Sequence, residues 1–372
     1  MIVQANPFGR MWDECRADYS EAVSRVGESG WYILGNEVSA FEDALAKYCG
    51  ASYAVGCANG MDAIEIALRV LGIGMGDKVL TTPLSAFATA LAIVRAGAEP
   101  IFCDVDENGT IDPDCVTEAL NEHPDIRVII PVHLYGHLAD IARLSEIADA
   151  NGISIIEDAA QAIGATRGAE RVGGRGHMAC FSFYPTKNLG VIGDGGALIV
   201  STSEQADVAK QIRNYGQTER YVHDVVGLNS RLDELHAATL NSALLPRLDG
   251  WLARRREIAA RYLGGINNDK VTCVKGPDDK GSSWHLFATR VSPSRRDEFL
   301  NHLTEAGIQA GLHYPVLLSD QKALIDHQPP IVVGDLINAR KFANGEVSLP
   351  INPHLTDAEV EHVIKTVNGW AG

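Results

Sequence analysis

Asp158 and Lys187 are the two side chains whose positions in the sequence best support chemistry. Each follows a short apolar run, in the segments IIEDAAQAIGA (155–165) and CFSFYPTKNLGVIGDGGALIV (180–200). In an open α/β sheet, ligands bind beyond the carboxyl ends of the strands, so functional groups are expected there. A lysine in a dry cleft has a depressed pKa, and its neutral amine can attack a carbonyl carbon. The pair therefore predicts covalent chemistry on an aldehyde or ketone.

A carboxylate beside such a lysine matches the requirements of pyridoxal 5'-phosphate. The aldehyde of this cofactor forms a Schiff base with a lysine, and a carboxylate keeps its ring nitrogen protonated so that the ring accepts electrons. We predict Lys187 for the first role and Asp158 for the second. Taken singly, Asp158 could cap the next helix and Lys187 could be a solvated loop residue. Their combination with the GDGG segment favours the cofactor.

The sequence Asn59-Gly60-Met61 offers a phosphate site at the start of a helix predicted over 60–71. Helix N-termini present free N–H groups and a favourable dipole to anions. Gly60 allows the backbone to approach a ligand closely, and Ser182 can add a hydroxyl from a neighbouring strand. The alternative roles are a helix cap for Asn59 and a buried strand serine for Ser182.

The elements that must position these groups follow from the apolar pattern. Short apolar runs alternate with helical patterns from residue 53 to about 200, which indicates a largely parallel sheet. The predicted strands are 53–57, 78–81, 100–105, 126–132, 153–157, 179–183 and 196–200. Beyond them, we predict long charged helices, notably over 231–263, and a strand around 284–292. The expected fold is α/β, a mostly parallel seven-stranded sheet with helices on both faces (residues 1–250), followed by a smaller α+β domain (residues 251–372).

The composition is that of a globular enzyme. The 372 residues carry a formal net charge of −16 without a basic cluster, which argues against nucleic acid and anionic membranes as partners. No apolar stretch reaches membrane-spanning length, and the first residues do not resemble a secretory signal. The seven cysteines are scattered without a C-x-x-C pair, so we expect a reduced, cytoplasmic protein and no metal site.

Several segments together resemble the DegT/StrS family of sugar aminotransferases. They are ANGMDAIEIAL, PLSAFATALAI, IIEDAAQAIGA, FSFYPTKNLG, GDGGALIV, GLNSRLDELHAA, HYP and SLPINPHLT. They follow one another in the family's order along nearly the whole chain. The resemblance implies a fold of the aspartate-aminotransferase type and a homodimer with two shared active sites.

The resemblance also implies roles around the cofactor ring. Lys187 matches the lysine that carries the cofactor, and Asp158 matches the partner of the ring nitrogen. Gln161 matches a residue that reaches the phenolic oxygen. Phe87 matches the aromatic residue that stacks on the ring, although a phenylalanine at an apolar helix start is often a core residue.

A second set of residues matches contacts to the cofactor phosphate. Gly60, Met61 and Ser182 correspond to phosphate contacts within the chain, and Asn229 corresponds to the contact from the neighbouring subunit. Met61 departs from the threonine or serine common in the family, so only its backbone N–H could serve.

Polar residues near these motifs are candidates for the substrate side. Tyr184, His313 and Tyr314 can donate or accept hydrogen bonds to a sugar, although a structural role fits each of them as well. The run Arg254-Arg255-Arg256 could meet a diphosphate, but such runs are commonly solvated helix faces, and we leave it out of the site.

The expected reaction moves an amino group, from glutamate by resemblance, to a nucleotide-linked keto-sugar. The ANGMDAI segment resembles family members that aminate the 3-keto position, with dTDP as the common carrier. A 4-keto-sugar, a keto-cyclitol and UDP or GDP carriers remain alternatives. Two other classes are a sugar dehydratase, in which histidine replaces the lysine, and a noncatalytic regulatory protein.

Overall fold

A computed structural model of the chain describes residues 1–174, 177–276 and 281–372. The strands are β1 (Tyr53–Cys57), β2 (Lys78–Thr81), β3 (Glu99–Phe102), β4 (Ile126–Ile130), β5 (Ser154–Asp158), β6 (Thr166–Arg167), β7 (Glu170–Arg171), β8 (Met178–Ser182), β9 (Gly196–Val200), β10 (Gln217–Glu219), β11 (Val222–His223), β12 (Thr272–Cys273), β13 (Phe287–Arg290), β14 (Ile331–Val332) and β15 (Glu346–Leu349). The helices are α1 (Phe8–Ser29), α2 (Asn36–Cys49), α3 (Gly60–Val70), α4 (Phe87–Ala96), α5 (Pro113–Glu122), α6 (Ile141–Asn151), α7 (Ser203–Arg213), α8 (Glu234–Thr239), α9 (Leu248–Gly265), α10 (Arg296–Glu305), α11 (Lys322–His327), α12 (Ile337–Gly345) and α13 (Asp357–Gly369).

The central sheet has the order β1-β9-β8-β5-β4-β2-β3-β14 within the described residues. Its neighbours pair in parallel except β9, which is antiparallel to both β1 and β8. The prediction of a mostly parallel sheet is confirmed, and all seven predicted strands belong to it. The sheet also gains an eighth strand, β14, which pairs with β3. With only two residues, β14 is too short to give a period-2 signal in the sequence.

Helices cover both faces of this sheet because successive strand residues point to opposite sides. Cys180 of β8 packs in a core with α3, α4 and α7. Its neighbour Phe181 packs on the other side, with α2 and α8. Ile155 of β5 likewise packs with α5 and α6. The sheet is thus buried between two helical layers, and the strand ends remain available for a site.

The second sheet is antiparallel and has the order β12-β13-β15. It shares an apolar core with α9, α10 and α13, and Val3 from the N-terminal segment also belongs to this core. The predicted strand over 284–292 is the shorter β13. The division into domains at residue 250 stays a prediction, since β14 from the C-terminal part pairs with the central sheet.

The helical region predicted over 231–263 is divided into several elements. The chain forms α8, then a π-helical segment at Leu240–Leu244 and a 3-10 turn at Leu245–Arg247, and only then α9. Pro246 lies in that turn, where it has no N–H to donate and its ring clashes with the preceding helical turn. Of the helices in residues 1–174, 177–276 and 281–372, none combines the length and apolarity needed to span a membrane.

Candidate active site

Lys187 lies in the loop after β8, where its N–H donates to the Tyr184 carbonyl at 2.8 Å. Burial lowers the pKa of Lys187 to about 8, because the ammonium form loses water, while the charge of Asp158 opposes the shift. The Nζ atom makes no hydrogen bond or ion pair with the residues that the structure describes. A partly buried amine with a lowered pKa is suited to bond covalently with a carbonyl group.

Asp158 is the last residue of β5 and is 5% exposed. Its Oδ2 accepts a hydrogen bond from Thr89 Oγ1 at 2.8 Å, and its Oδ1 accepts one from the Ala160 N–H at 3.2 Å. Thr89 Oγ1 in turn lies 2.8 Å from Ser85 Oγ. These contacts fix the orientation of the carboxylate. The sequence analysis missed Thr89 and Ser85, although both lie in the quoted PLSAFATALAI segment.

The start of α3 packs closely against the ends of β8 and β9. A Cβ at Gly60 would lie 2.7 Å from the Cβ of Ser182, and one at Gly196 would lie 2.3 Å from the carbonyl carbon of Asn59. Asn59 caps the helix by accepting from the Asp62 N–H at 2.8 Å. The N–H groups of Gly60 and Met61 donate to no described residue, so this edge offers free donors to an anion.

The Met61 side chain turns toward α4, where its sulfur lies 3.9 Å from an Arg95 guanidinium nitrogen. The Ser182 hydroxyl accepts from the Tyr184 N–H at a distance of 3.4 Å. Within this edge, a phosphate would therefore meet backbone N–H groups and one serine hydroxyl. This donor set fits the phosphate of the predicted cofactor.

Gln161 is held by two aromatic residues from distant segments. Its Oε1 accepts from the Tyr135 N–H at 2.7 Å, and its Nε2 donates to the Tyr314 hydroxyl at 3.1 Å. Phe87, the first residue of α4, is partly buried and packs against an apolar cluster with Ala90 and Phe102. Its predicted stacking on a ring stays a prediction.

A cavity of about 300 Å³ brings Lys187 together with the C-terminal half of the chain. Its polar lining includes His285, His313, Tyr314 and Ser348. Burial and the charge of Lys187 lower the pKa of His313 to about 4, and burial raises the pKa of Tyr314 to about 12. Both groups are therefore neutral at physiological pH and can exchange hydrogen bonds with hydroxyl groups.

His285 was not among the predicted site residues. Its Nδ1 lies 3.2 Å from the Asn188 Oδ1 atom, and burial holds its pKa well below the ordinary value. Asn188 follows Lys187 directly and donates to the Ser283 carbonyl at 2.9 Å. No local sequence signal marks His285, because its partner lies 97 residues away.

Two predicted residues lie at the surface. The side chain of Tyr184 is 52% exposed, and Asn229 is exposed in an isolated bridge with Asn214. Neither lines the cavity that contains Lys187 and His313. Asn229 makes no side-chain hydrogen bond to any residue in the described ranges, which leaves its amide free for a contact outside the chain.

The arginine run on α9 is not the solvated helix face that we expected. Arg254 pairs with Asp357 at 2.7 Å. Arg255 is buried and donates to the carbonyls of Trp284, His285 and Ile351. Through these contacts the run attaches α9 to α13 and to the segments that flank the second sheet, a role that the sequence pattern did not reveal.

Comparison with known proteins identifies relatives along almost the full length of the chain. The model of the DegT/DnrJ/EryC1/StrS aminotransferase family matches residues 13–368. The dTDP-3-amino-3,4,6-trideoxy-alpha-D-glucose transaminase of Streptomyces venezuelae is 43% identical over 362 residues, which cover 97% of this chain and 94% of that protein. The erythromycin biosynthesis sensory transduction protein EryC1 of Saccharopolyspora erythraea is 42% identical over 363 residues, which cover 96% of each chain.

The fold is also found among solved structures. The crystal structure of DesV from S. venezuelae, in complex with a ketimine intermediate, matches with a TM-score of 0.94 and 42% identity. The match covers 100% of this chain and 98% of that chain. The similarity therefore includes both sheets and every segment that contributes to the cavity.

Proposed function

The chain belongs to the DegT/DnrJ/EryC1/StrS aminotransferase family and is a pyridoxal-phosphate-dependent aminotransferase, and we propose that it aminates a nucleotide-linked keto-sugar. The observation that carries the proposal is the cavity in which Lys187 lies with the neutral groups of His313 and Tyr314. Neutral donors and acceptors suit the hydroxyl groups of a sugar, whereas an amino acid substrate alone would favour charged partners.

We assign the cofactor contacts to residues that fit it chemically. The free N–H groups of Gly60 and Met61 and the hydroxyl of Ser182 would bind the phosphate. Asp158 would hold the ring nitrogen, because Thr89 and Ala160 already orient its carboxylate. When bound, pyridoxal phosphate supplies the carbonyl that carries the amino group and a protonated ring that stabilises negative charge.

Further contacts to the ring are assigned to Phe87 and Gln161. Phe87 would stack on one face of the ring. The Nε2 of Gln161, which now donates to Tyr314, could redirect to an oxygen of the cofactor. Tyr184 would reach the substrate from the rim of the site.

Lys187 has two roles in this assignment. It binds the cofactor covalently, and its released amine moves a proton between the carbon of the amino donor and the cofactor. Because burial lowers the pKa of Lys187 to about 8, a substantial fraction of the amine is neutral near that pH. The neutral fraction rises with pH, so the base function gains as pH approaches 8 and is lost as pH falls.

The substrate assignment is finer than the reaction class. Glutamate is the proposed amino donor, and a dTDP-linked 3-keto-6-deoxyhexose is the proposed acceptor. The S. venezuelae relative is named for a 3-amino sugar, and the ANGMDAI segment points to the same ring position. A 4-keto-sugar or a keto-cyclitol would be the alternative acceptor.

The proposed assembly is a homodimer in which each site uses both chains. Asn229 supports this arrangement, since its exposed amide has no partner among the described residues. The neighbouring hairpin β10–β11 also exposes Tyr221, at 78% of its surface, and Val222, at 47%. All seven cysteines are free thiols, which supports a location in the reducing cytoplasm.

A regulatory function, in which no keto-sugar is aminated, is the second candidate, because the EryC1 relative is named a sensory transduction protein. A regulatory protein would bind the cofactor without turning over a keto-sugar. The lowered pKa of Lys187 favours catalysis, since a binding role alone does not need a reactive amine.

One experiment separates these functions. Purified protein is incubated with pyridoxal phosphate, glutamate and a dTDP-linked 3-keto-sugar, and the amino sugar is measured by mass spectrometry beside the cofactor's absorbance. We expect Lys187→Ala to stay folded but to lose the borohydride-reducible cofactor bond and to reduce turnover on the order of 10⁴-fold or more. Near wild-type turnover in Lys187→Ala would exclude the assigned role, and absorbance changes without amino sugar would favour the regulatory function or another acceptor.

A further inference from the structure

A buried carboxyl behind the cavity contacts it only through other residues. Glu346, the first residue of β15, is 2% exposed. Its Oε2 accepts from the backbone N–H of His313 at 2.6 Å, and its Oε1 contacts the Ser348 hydroxyl at 2.5 Å. Ser348 Oγ also lies 3.0 Å from His313 Nδ1. The Glu346 carboxyl, the Ser348 hydroxyl and the His313 imidazole thus form a continuous series of hydrogen bonds. The series ends at the cavity that contains Lys187.

The imidazole ring of His313 is fixed from several sides. The Tyr135 hydroxyl donates to the His313 carbonyl at 2.7 Å. A Cβ at Gly311 would lie 2.9 Å from the ring's Cε1 atom, so only glycine leaves room for this ring position. Since Ser348 occupies Nδ1, and Nε2 bonds to no residue in the described parts of the chain, Nε2 is the ring atom left for a ligand.

The surroundings keep the two ends of this hydrogen-bonded series, the Glu346 carboxyl and the His313 imidazole, uncharged. Arg296 of α10 and Arg290 of β13 face Glu346, but neither forms an ion pair with it: Arg296 pairs with Asp297 and Arg290 stacks over Phe342. The remaining titratable groups near Glu346 and His313 are Tyr135, Tyr314, Lys187 and His285. Burial raises the pKa of Glu346 to about 8, so the carboxyl is mostly protonated at neutral pH.

We propose that Glu346 acts through Ser348 to make His313 a neutral proton donor toward an oxygen of the substrate. The proposal rests on the proposed function, because it places a keto-sugar in the cavity. His313 is a candidate catalytic residue here, while Glu346 and Ser348 are positioning residues that act through its imidazole ring.

The proton movements balance along the chain. The Nε2 proton moves to the substrate oxygen, the Ser348 hydroxyl proton moves to Nδ1, and the Glu346 carboxyl proton moves to the Ser348 oxygen. The imidazole stays neutral, and the negative charge ends on Glu346. This route avoids the imidazolium cation, which burial and Lys187 disfavour. Reversal of the three transfers restores the starting state when the site takes up a proton.

The ionisation of Glu346 therefore selects the tautomer of His313. A protonated carboxyl donates to Ser348, which donates to Nδ1, so Nε2 carries the ring proton. An ionised carboxyl accepts from Ser348, which accepts from Nδ1–H, so Nε2 is left bare. Donation from Nε2 is thus present below pH about 8 and is lost as the pH rises through that value.

The first test measures the tautomer directly and needs no substrate. In the holoenzyme labelled with ¹⁵N-histidine, the His313 resonances are assigned with a His313→Gln variant. They are followed from about pH 6.5 to about pH 9.5, roughly 1.5 pH units on either side of the pKa of Glu346. We expect the proton on Nε2 at low pH and on Nδ1 at high pH. In Glu346→Gln, the side-chain carbonyl accepts from the backbone N–H of His313, and the side-chain NH₂ donates to Ser348. The Ser348 hydroxyl then donates to Nδ1 at every pH, so the Nε2–H form should persist throughout.

This result stands apart from the identity of the substrate. If the His313 tautomer does not change with pH in the wild type, or still changes with pH in Glu346→Gln, the proposal is overturned. The aminotransferase assignment would stand in either case. Failure of every keto-sugar in the turnover assay would reject the proposed acceptor without changing the tautomer measurement.

The second test separates proton supply from binding. Because the Gln side chain keeps the donor tautomer but cannot release a proton, we expect Glu346→Gln to change KM by less than about three-fold and to lower kcat for the keto-sugar roughly 100-fold. Ser348→Ala should lower kcat similarly, and Ser348→Thr should restore most of it. Unchanged kcat in both Glu346→Gln and Ser348→Ala, or a rise in KM alone, would show that these hydrogen bonds have only a structural role.

Thr289→Val is the matched control for these variants. Thr289 lies in the same sheet and donates to the Val347 carbonyl at 2.6 Å, without contacting His313. Its loss removes a buried hydrogen bond of the same kind, so we expect wild-type kcat and an unchanged tautomer. A 100-fold fall in Thr289→Val would attribute the effect to the stability of the sheet.

Discussion

The phosphate edge and the substrate cavity are built in different ways. The phosphate edge consists of the start of α3 and the ends of β8 and β9, where backbone approaches backbone at Gly60 and Gly196. The cavity is lined by side chains from distant segments of the chain, such as Lys187, His285 and Tyr314. The phosphate edge therefore requires residues without a side chain at these two positions. The cavity instead requires polar side chains from distant segments to lie in the correct geometry.

This difference predicts two kinds of damage. A substitution at the phosphate edge should change the Kd of the cofactor, because it alters the space for the phosphate. A lesion in the cavity should change rates while the cofactor stays bound. Variants at Asp158, Gly60 and Asn229 test the division, and each would break it by producing the opposite kind of defect.

Of these three positions, Asp158 is expected to give the largest effect. Asp158→Asn keeps the size of the side chain and the Thr89 contact, but a neutral amide cannot hold the cofactor's ring nitrogen protonated. We expect the cofactor to remain bound and the first half-reaction with glutamate to slow by roughly three orders of magnitude, as for other essential catalytic groups. Single-turnover absorbance measures this step.

Thr89→Val provides the comparison for Asp158→Asn, because it removes one hydrogen bond to the carboxylate and keeps the charge. We expect a much smaller loss of rate in this variant. A rate for Asp158→Asn within a few-fold of wild type would contradict the assigned role of the carboxylate.

Gly60→Ala should give the clearest defect in cofactor retention. The new Cβ would lie 2.7 Å from the Ser182 Cβ, so the helix start must shift away from β8. Overpacking of this kind costs about 1–3 kcal/mol, which corresponds to a cofactor Kd roughly 5- to 150-fold higher if the cost is borne by the cofactor-bound state. Equilibrium titration with pyridoxal phosphate gives the Kd.

Gly27→Ala is the control, since no atom lies within 4 Å of its new Cβ in α1. It should leave the cofactor Kd unchanged and slightly stabilise the helix. If Gly60→Ala instead lowered kcat with an unaltered Kd, the edge would not be a binding element of the kind described.

Asn229 tests whether the edge is completed by a second chain. Loss of one hydrogen bond to a charged phosphate costs about 1.5–3 kcal/mol, so Asn229→Ala should weaken cofactor retention by roughly ten-fold or more. The structure gives Asn229 no helix-capping role, because α8 begins at Glu234 and is capped by Asp233.

Mixed dimers distinguish the two chains. When a Lys187→Ala chain pairs with an Asn229→Ala chain, a contact across the interface places both defects in one site and leaves the other site intact. Each mixed dimer should then recover about half of the wild-type activity. Absence of recovery, or a fully active monomer by light scattering, would reject the shared site.

The two regions also differ in how far the sequence could predict them. The seven predicted strands are present because buried parallel strands read as short apolar runs. Gly60 and Ser182 could be placed together because each lies at the end of a recognised element. Thr89 and His285 could not, since their roles come from tertiary contacts that no local pattern encodes.

Two features of the fold illustrate the same limit. The strand β14 has only two residues, and its pairing with β3 depends on a chain return of more than 200 residues. The interruption between α8 and α9 occurs at Pro246, but the helical pattern over 231–263 did not itself give the positions at which one helix ends and the next begins. Short elements and long-range contacts were therefore the parts that required the structure.

The antiparallel placement of β9 beside β8 has a consequence for the loop that contains Lys187. Both ends of this loop are tied together, since the Phe183 N–H donates to the Gly195 carbonyl at 2.7 Å and the Val191 N–H donates to the Phe183 carbonyl at 2.9 Å. Little chain entropy is left to lose when the lysine returns to its bonding position. An amine tethered in this way has a high effective molarity at the reacting carbon, so its recapture competes well with departure of the cofactor into solvent.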